Sequence, residues 1–273
     1  MINELKISTA RRAGKTYLKD MYYTRPFKVA HVGEDKTDPC LYLMVMSSSP
    51  GILDGDQYEM TLDLAEETEL QLQTQSYQRL FQMEKGASQT MTVNMARGSR
   101  FRYIPHPSVP HEKSIYKSHN VIYMDAGASL VWGEIVTCGR KLSGEVFKFS
   151  YFQNVTEVYR EGRLVFKDHL LLSPGYMSMN ALGQFEGFTH QATLFCLGEN
   201  ADTATLTNLV QEQLSEEKNI AFGVSQTAHT GLLVRLLGHG GEQLFRCLNQ
   251  LGELVQERLH PAATATAPLI LQD

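Results

Sequence analysis

The sequence predicts a mainly β protein, a solenoid-like stack of strands with two helices in its C-terminal part. One observation is a short pattern of alternating apolar residues that occurs three times with a period near 30 residues. Another is the two-residue alternation, broken by Gly, Pro, Ser and Asp clusters, before about residue 190. The last is a change after that point to strands mixed with 3- and 4-residue apolar spacing.

The three copies are Leu62–Leu70 (LDLAEETEL), Val93–Phe101 (VNMARGSRF) and Ile122–Leu130 (IYMDAGASL), with first positions offset by 31 and then 29 residues (62 to 93, 93 to 122). Each reads apolar-x-apolar, then a turn of small and charged residues, then apolar again. Leu72, Tyr103 and Trp132 extend the alternation two positions on. One such rung cannot bury its apolar face alone, so the pattern predicts stacked hairpin rungs of a β-solenoid or sandwich.

Ahead of the rungs, Lys15–Lys19 and Leu41–Met46 have strand composition, and Pro26 marks an edge or turn because it cannot donate to a ladder. Ser47–Gly51 ends the second strand, and Ile52–Asp56 (ILDGD) follows. Pro105–His111 separates the second and third rungs. Its three prolines exclude a helix and predict an exposed, stiff loop. A hairpin is expected over Val155–Phe166, turning at Glu161 and Gly162. Later, Ala192–Leu197, Ile220–Val224 and Leu232–Leu237 read as strands, and Asp202 is placed to cap a helix over Thr203–Glu217. The last helix, Gly241–His260, aligns Leu244, Leu248, Leu251, Val255 and Leu259 on one face, and Pro261 ends it. The expected organisation is a β core over 1–190, a strand/helix part over 191–261 packed on the same domain, and a flexible tail over 262–273.

Composition excludes several classes. With 42% hydrophobic and 20% charged residues, 273 residues bury a sizeable core. A formal net charge of −5 argues against nucleic acid as a partner. Cys40, Cys138, Cys196 and Cys247 are far apart and form no CxxC pair, which suits buried free thiols in a reducing compartment. With neither a signal-peptide pattern nor an apolar run near the length of a membrane span, the expected location is cytoplasmic.

The phosphate-cradling GxxxxGK[ST], the GxSxG elbow and HExxH do not occur. Strand parity is more informative. Leu130 and Trp132 point inward, so Glu134 does too. Asp56 shares the parity of Tyr58, Met60, Leu62 and Leu64, and Glu145 that of Phe147, Phe149 and Tyr151 in an expected strand. Thr74 and Ser76 continue the inward line of Leu70 and Leu72. A buried carboxylate needs a partner, a water or a cation. One solution is an ion pair, such as Glu134 with Arg140; another is a bulge at Gly133 or Gly144 that turns the carboxylates outward. The third is an interior polar line.

Three segments resemble a known family when taken together. Ser49–Asp56 (SPGILDGD) followed by an alternating strand is similar to its Pro-Gly…Gly-Asp signature. Thr74–Leu80 (TQSYQRL) resembles its Thr-Gln…Lys/Arg element, here with Arg79. Leu130–Phe147 (LVWGEIVTCGRKLSGEVF) is similar to its Trp-x-Glu…Gly-Arg…Ser-Gly-Glu stretch. The family is the urease accessory protein UreD, called UreH in some organisms, and the resemblance runs from about Tyr22 to Leu237. It implies a scaffold chaperone and no enzyme, with a predominantly β superhelical fold and two helices. It further implies partners: apo-urease, a UreF-type accessory protein and the UreG-type GTPase. Nickel is delivered to a urease active site in which a carbamylated lysine bridges two nickel ions.

An internal passage for nickel is also implied, and the inward residues supply a chemical basis for it. Asp56, Glu134 and Glu145, with Ser76 as a neutral ligand, would be weak oxygen ligands from which an ion in transit can be released. No permanently bound cofactor is expected. The Pro-rich loop over His106–His111 and the last helix are the expected contacts for the UreF-type partner, unless the apolar face of residues 244–259 covers the sheet. Two rival readings remain: a β-fold metalloenzyme with His106, His111 and Glu112 as ligands, and a purely structural β-solenoid.

Overall fold

The computed structural model describes residues 2–35, 37–199 and 202–259. The chain opens with β1 (Ile2–Arg12) and β2 (Lys15–Tyr23), then β3 (Phe27–His31) and β4 (Leu41–Ser47). The repeat region holds β5 (Gln57–Leu64), β6 (Glu69–Thr74), β7 (Gln78–Leu80), β8 (Ala87–Met95), β9 (Arg100–Tyr103), β10 (Ser108–Pro110), β11 (Ile115–Met124) and β12 (Ser129–Thr137). After it come β13 (Tyr151–Arg160), β14 (Arg163–Leu172), β15 (His190–Leu197), α1 (Thr203–Ser215), β16 (Ala221–Gln226), β17 (Gly231–Gly238) and α2 (Gly241–Leu259).

The strands form two open sheets. One runs β14-β13-β11-β8-β5-β1-β2 and the other β16-β17-β15-β12-β9-β6-β4-β3, with β7 and β10 paired beside β12. The chain alternates between them in each repeat, so the mainly β superhelix is present, with both helices after residue 200. The rungs are arches, however, and not the expected hairpins. The two strands of one rung lie in different sheets, and each pairs in parallel with its counterpart in the next rung. Register makes the repeat physical: Leu62, Val93 and Ile122 are paired neighbours, as are Leu70, Phe101 and Leu130, and Leu72, Tyr103 and Trp132. Alternation alone fits both forms. The arch wins because it aims the apolar residues of both strands into one shared core.

Each arch turns through a left-handed residue at the same repeat position, Glu67, Gly98 and Gly127, with φ of 55°, 67° and 70°. The turns stack through Glu67 N–H to Arg97 O at 3.0 Å and Gly98 N–H to Ala126 O at 3.1 Å.

Between the sheets lies the main core, and a second core lies between the outer face of the second sheet and the helices. Leu244, Leu248, Leu251, Val255 and Leu259 are all buried there, so the last helix spends its apolar face on the sheet. Gly133 permits the approach, since a Cβ there would sit 3.1 Å from Leu248 and 3.2 Å from Ile104. It forms no bulge: β12 keeps register with β15 from Leu130 to Thr137. The hairpin at Glu161 and Gly162 forms as read, with φ of 49° and 74°, and Asp202 Oδ1 caps α1 by accepting from Thr205 N–H at 3.1 Å. All four cysteines are buried free thiols, and burial pushes Cys196 up to about 12.

Two expectations are corrected. Residues 145–150 are no strand: Gly139, Gly144 and Phe147 have φ of 114°, 77° and 53°, which breaks the alternation. The Pro-rich insert is not an exposed loop. Pro107, Pro110 and His111 are buried, and Ser108–Pro110 pairs in parallel with β7, because the insert folds back over the interior and under the start of α2. Pro261 and the 262–273 tail lie outside the described residues.

Candidate functional site

The site begins at β12, which crosses the middle of the second sheet. Leu130, Trp132 and Val136 face the inter-sheet core, while Val131 and Ile135 face the helices. Parity therefore sends Glu134 inward, among apolar neighbours. Its carboxylate accepts from Trp132 Nε1 at 2.7 Å, from Thr156 Oγ1 at 2.8 Å and from Asn154 Nδ2. The last two donors are on β13, in the opposite sheet. Asn120 on β11 backs both, donating to Asn154 Oδ1 at 3.1 Å and Thr156 Oγ1 at 2.9 Å. Burial pushes the Glu134 carboxyl up to about 7, and the three donors offset this only in part. The accessible surface Glu134 retains faces a chamber of about 80 Å³, room for several water molecules.

The expected ion pair with Arg140 does not form. Arg140 pairs with Glu145, whose carboxyl it holds below the usual range, and Glu145 Oε2 also accepts from Glu112 N–H at 3.2 Å. Glu145 is not among the residues lining the chamber.

The chamber continues into a second cavity of about 110 Å³ with which it shares Thr74, Gln78, Gln89 and Tyr103. This outer cavity reaches Ser49, Gly51 and the exposed Ser76. A polar row on the first sheet forms the floor of both. Tyr58, Gln89, Ser118 and Asn154 are register neighbours on β5, β8, β11 and β13. Three strand spacings make the row roughly 14 Å long. At its outer end the Tyr58 hydroxyl donates to Asp56 Oδ2 at 3.3 Å, and Leu53 N–H holds the same oxygen at 2.8 Å. Asp56 is half-buried at this rim and Glu134 ends the row inside. Of the four residues expected along a passage, Glu134 lines the chamber and Ser76 the outer cavity, Asp56 lines neither and meets the row only through the Tyr58 hydroxyl, and Glu145 lies apart from both cavities.

Sequence reading missed Gln89, Ser118, Asn120, Asn154 and Thr156. The signal was present: each shares the inward parity of Met91, Ile122 or Val158 in its strand, the test already applied to the carboxylates.

The metalloenzyme ligands are dispersed in role. His106 lines the chamber and stacks on Phe245 with centroids 4.2 Å apart, while His111 packs edge-on against Phe81 at 4.8 Å. Among the described residues no group of three His, Cys, Asp or Glu side chains is placed to hold a metal ion. No helix among them is long and apolar enough to cross a membrane.

Fold and site together define a class: a two-sheet β superhelix with a polar chamber between its sheets that holds one inward-facing carboxylate, Glu134. Residues 2–270 match the family model described as UreD urease accessory protein. The chain is 50% identical to the urease accessory protein UreD of Flavobacterium johnsoniae, over 97% of this chain and 98% of the relative. It is 36% identical to that of Haemophilus influenzae, over 94% and 99%, and 34% identical to that of Acetivibrio thermocellus, over 85% and 88%. The chain belongs to the UreD family of urease accessory proteins. Its role is in urease maturation.

Proposed function

We propose that the chain is a cytoplasmic scaffold that binds apo-urease and, with UreF-type and UreG-type partners, supports nickel delivery to the urease active site, the ion moving through the chamber between Asp56 and Glu134. The observation that supports this reading is the polar row joining those two carboxylates through an otherwise apolar core. Placing Gln89, Ser118, Asn120 and Asn154 at inward positions carries a desolvation cost that apolar residues would not, and a role in transit accounts for it. Amide and hydroxyl oxygens bind a borderline divalent ion weakly, which suits transit better than a closed cage of thiolates and imidazoles. Glu134 is suited to the inner end. A carboxyl poised near neutrality exchanges its proton for an arriving cation and takes the proton back when the cation leaves.

The test is nickel incorporation into apo-urease with Glu134→Ala or Asp56→Ala in place of the natural chain. Both variants are expected to assemble with apo-urease and the accessory proteins but to leave urease short of nickel. Normal nickel content with both would reduce the chain to a scaffold that acts only by binding urease.

A further inference from the structure

We propose that the chamber has a second mouth, on the outer face of the second sheet beside α2, and that the His106 imidazole is the movable partition across it. This rests on the nickel-passage reading and adds a route of entry to it.

An outer groove of about 420 Å³ runs along α2, lined by Met44, Gln73, Asn249, Gln250 and Glu253 among others. Two residues line both this groove and the inner chamber: Thr74 and His106. At this point the wall between protein exterior and Glu134 chamber is therefore one side chain thick. Along β12 itself, Val131 and Ile135 on the outer face pack into the core formed with the helices.

The attachment of His106 suits a part that moves. Its backbone is stiffened by Pro105 and Pro107, and its own N–H is tied to Thr74 Oγ1 at 2.8 Å. The ring is held more lightly, by one hydrogen bond between Nδ1 and the same Thr74 oxygen at 3.1 Å and by the stack on Phe245. A rotation about the side-chain bonds breaks one neutral hydrogen bond, the Phe245 stack and a looser contact with Tyr77 at 6.2 Å, and leaves the main chain in place. Desolvation holds the imidazole below its ordinary range, so the neutral ring does not repel an approaching cation. The groove offers that cation the same oxygen chemistry as the chamber floor, in Gln73 and Gln250, while Glu253 is shared with Arg102 at 3.6 Å. Arg246, the basic residue lining it, is engaged by Glu217 at 3.1 Å.

The test uses apo-urease in complex with this chain and the accessory proteins, nickel(II) as the probe, and the initial rate at which nickel accumulates in urease. His106→Phe keeps the stack and the bulk but has no ring nitrogen with which to follow a passing cation, so uptake should slow by about tenfold. His106→Ala removes the partition and should be at least as fast as the natural chain. A merely structural role predicts the opposite order, because Phe preserves the packing and Ala loses it. Gln73→Trp fills the groove from outside and should slow uptake like His106→Phe; it decides the matter if His106→Phe does not assemble. Uptake at the natural rate with both His106→Phe and Gln73→Trp overturns the second mouth, as does an Ala variant slower than the Phe variant. Glu134→Ala separates the two readings. If it alone is slow, the passage stands without this mouth; if it too is normal, both fall.

Discussion

Thr156 donates its hydroxyl to Glu134 at 2.8 Å across the space between the two sheets, beside a largely apolar core. That contact ties β13 to β12 through a buried polar network whose other members, Asn120, Asn154 and Trp132, also point their donors at the carboxylate or at its holders. A network of this kind is costly to bury and is tolerated where it serves a purpose. Its consequences are measurable.

Protein stability should depend on pH through Glu134. The unfolded chain releases this proton at its ordinary value of 4.5, and the folded chain holds it up to about 7. The folded state therefore binds more protons between those values. Stability from this group is fully present below the unfolded value and is lost as pH rises through the folded one, about 3 kcal/mol in all. Denaturant titrations of the natural chain and of Glu134→Gln over about pH 5 to 8 should differ by this slope, the contribution of the desolvated histidines being common to both.

Trp132 is the one tryptophan of the chain and its indole N–H meets the Glu134 carboxylate. Its emission should therefore titrate with a midpoint at about pH 7. The step should vanish in Glu134→Gln. A step that survives the substitution would assign the titration to another group.

Glu145 should be dispensable for nickel. It is fixed by Arg140, whose side chain is 48% exposed, and solvent screens that pair. Glu145→Ala should cost little stability and leave the nickel content of matured urease unchanged. A drop in nickel with the fold intact would extend the path toward β10.

The two glycines of Ser49–Asp56 should differ in cost. A Cβ on Gly51 would lie 2.3 Å from the Arg79 carbonyl oxygen and 2.9 Å from Phe81, whereas Gly55, at φ 81°, has open space around it. Gly51→Ala must displace backbone at the rim of the outer cavity and should destabilise by about 1–3 kcal/mol. Gly55→Ala meets only the left-handed backbone penalty, about 1 kcal/mol. Thermal unfolding of the two variants checks the order.

These contrasts also show what the sequence makes legible. The rung equivalences Leu62–Val93–Ile122 and Leu72–Tyr103–Trp132 are visible because period-2 alternation is local and repeats. Glu134 was placed correctly because β12 runs unbroken from Leu130 to Thr137. Glu145 was misplaced because parity fails across Gly139, Gly144 and Phe147, whose positive φ values only tertiary contacts select. Arch and hairpin share one apolar pattern, so the sheet assignment of β6, β9 and β12 could not be read. The burial of Pro107 and Pro110 is likewise tertiary: Pro107 sits under the start of α2, more than a hundred residues away, and Pro110 pairs with Leu80 of β7. Asn120, Asn154 and Thr156 were readable by parity but carry no charge to draw attention.

The most direct measurement is the nickel content of urease matured in the presence of Glu134→Ala, set beside the amount of apo-urease that the variant co-purifies. A passage through the chamber predicts full co-purification with urease left deficient in nickel. Full co-purification with a normal nickel complement would contradict it.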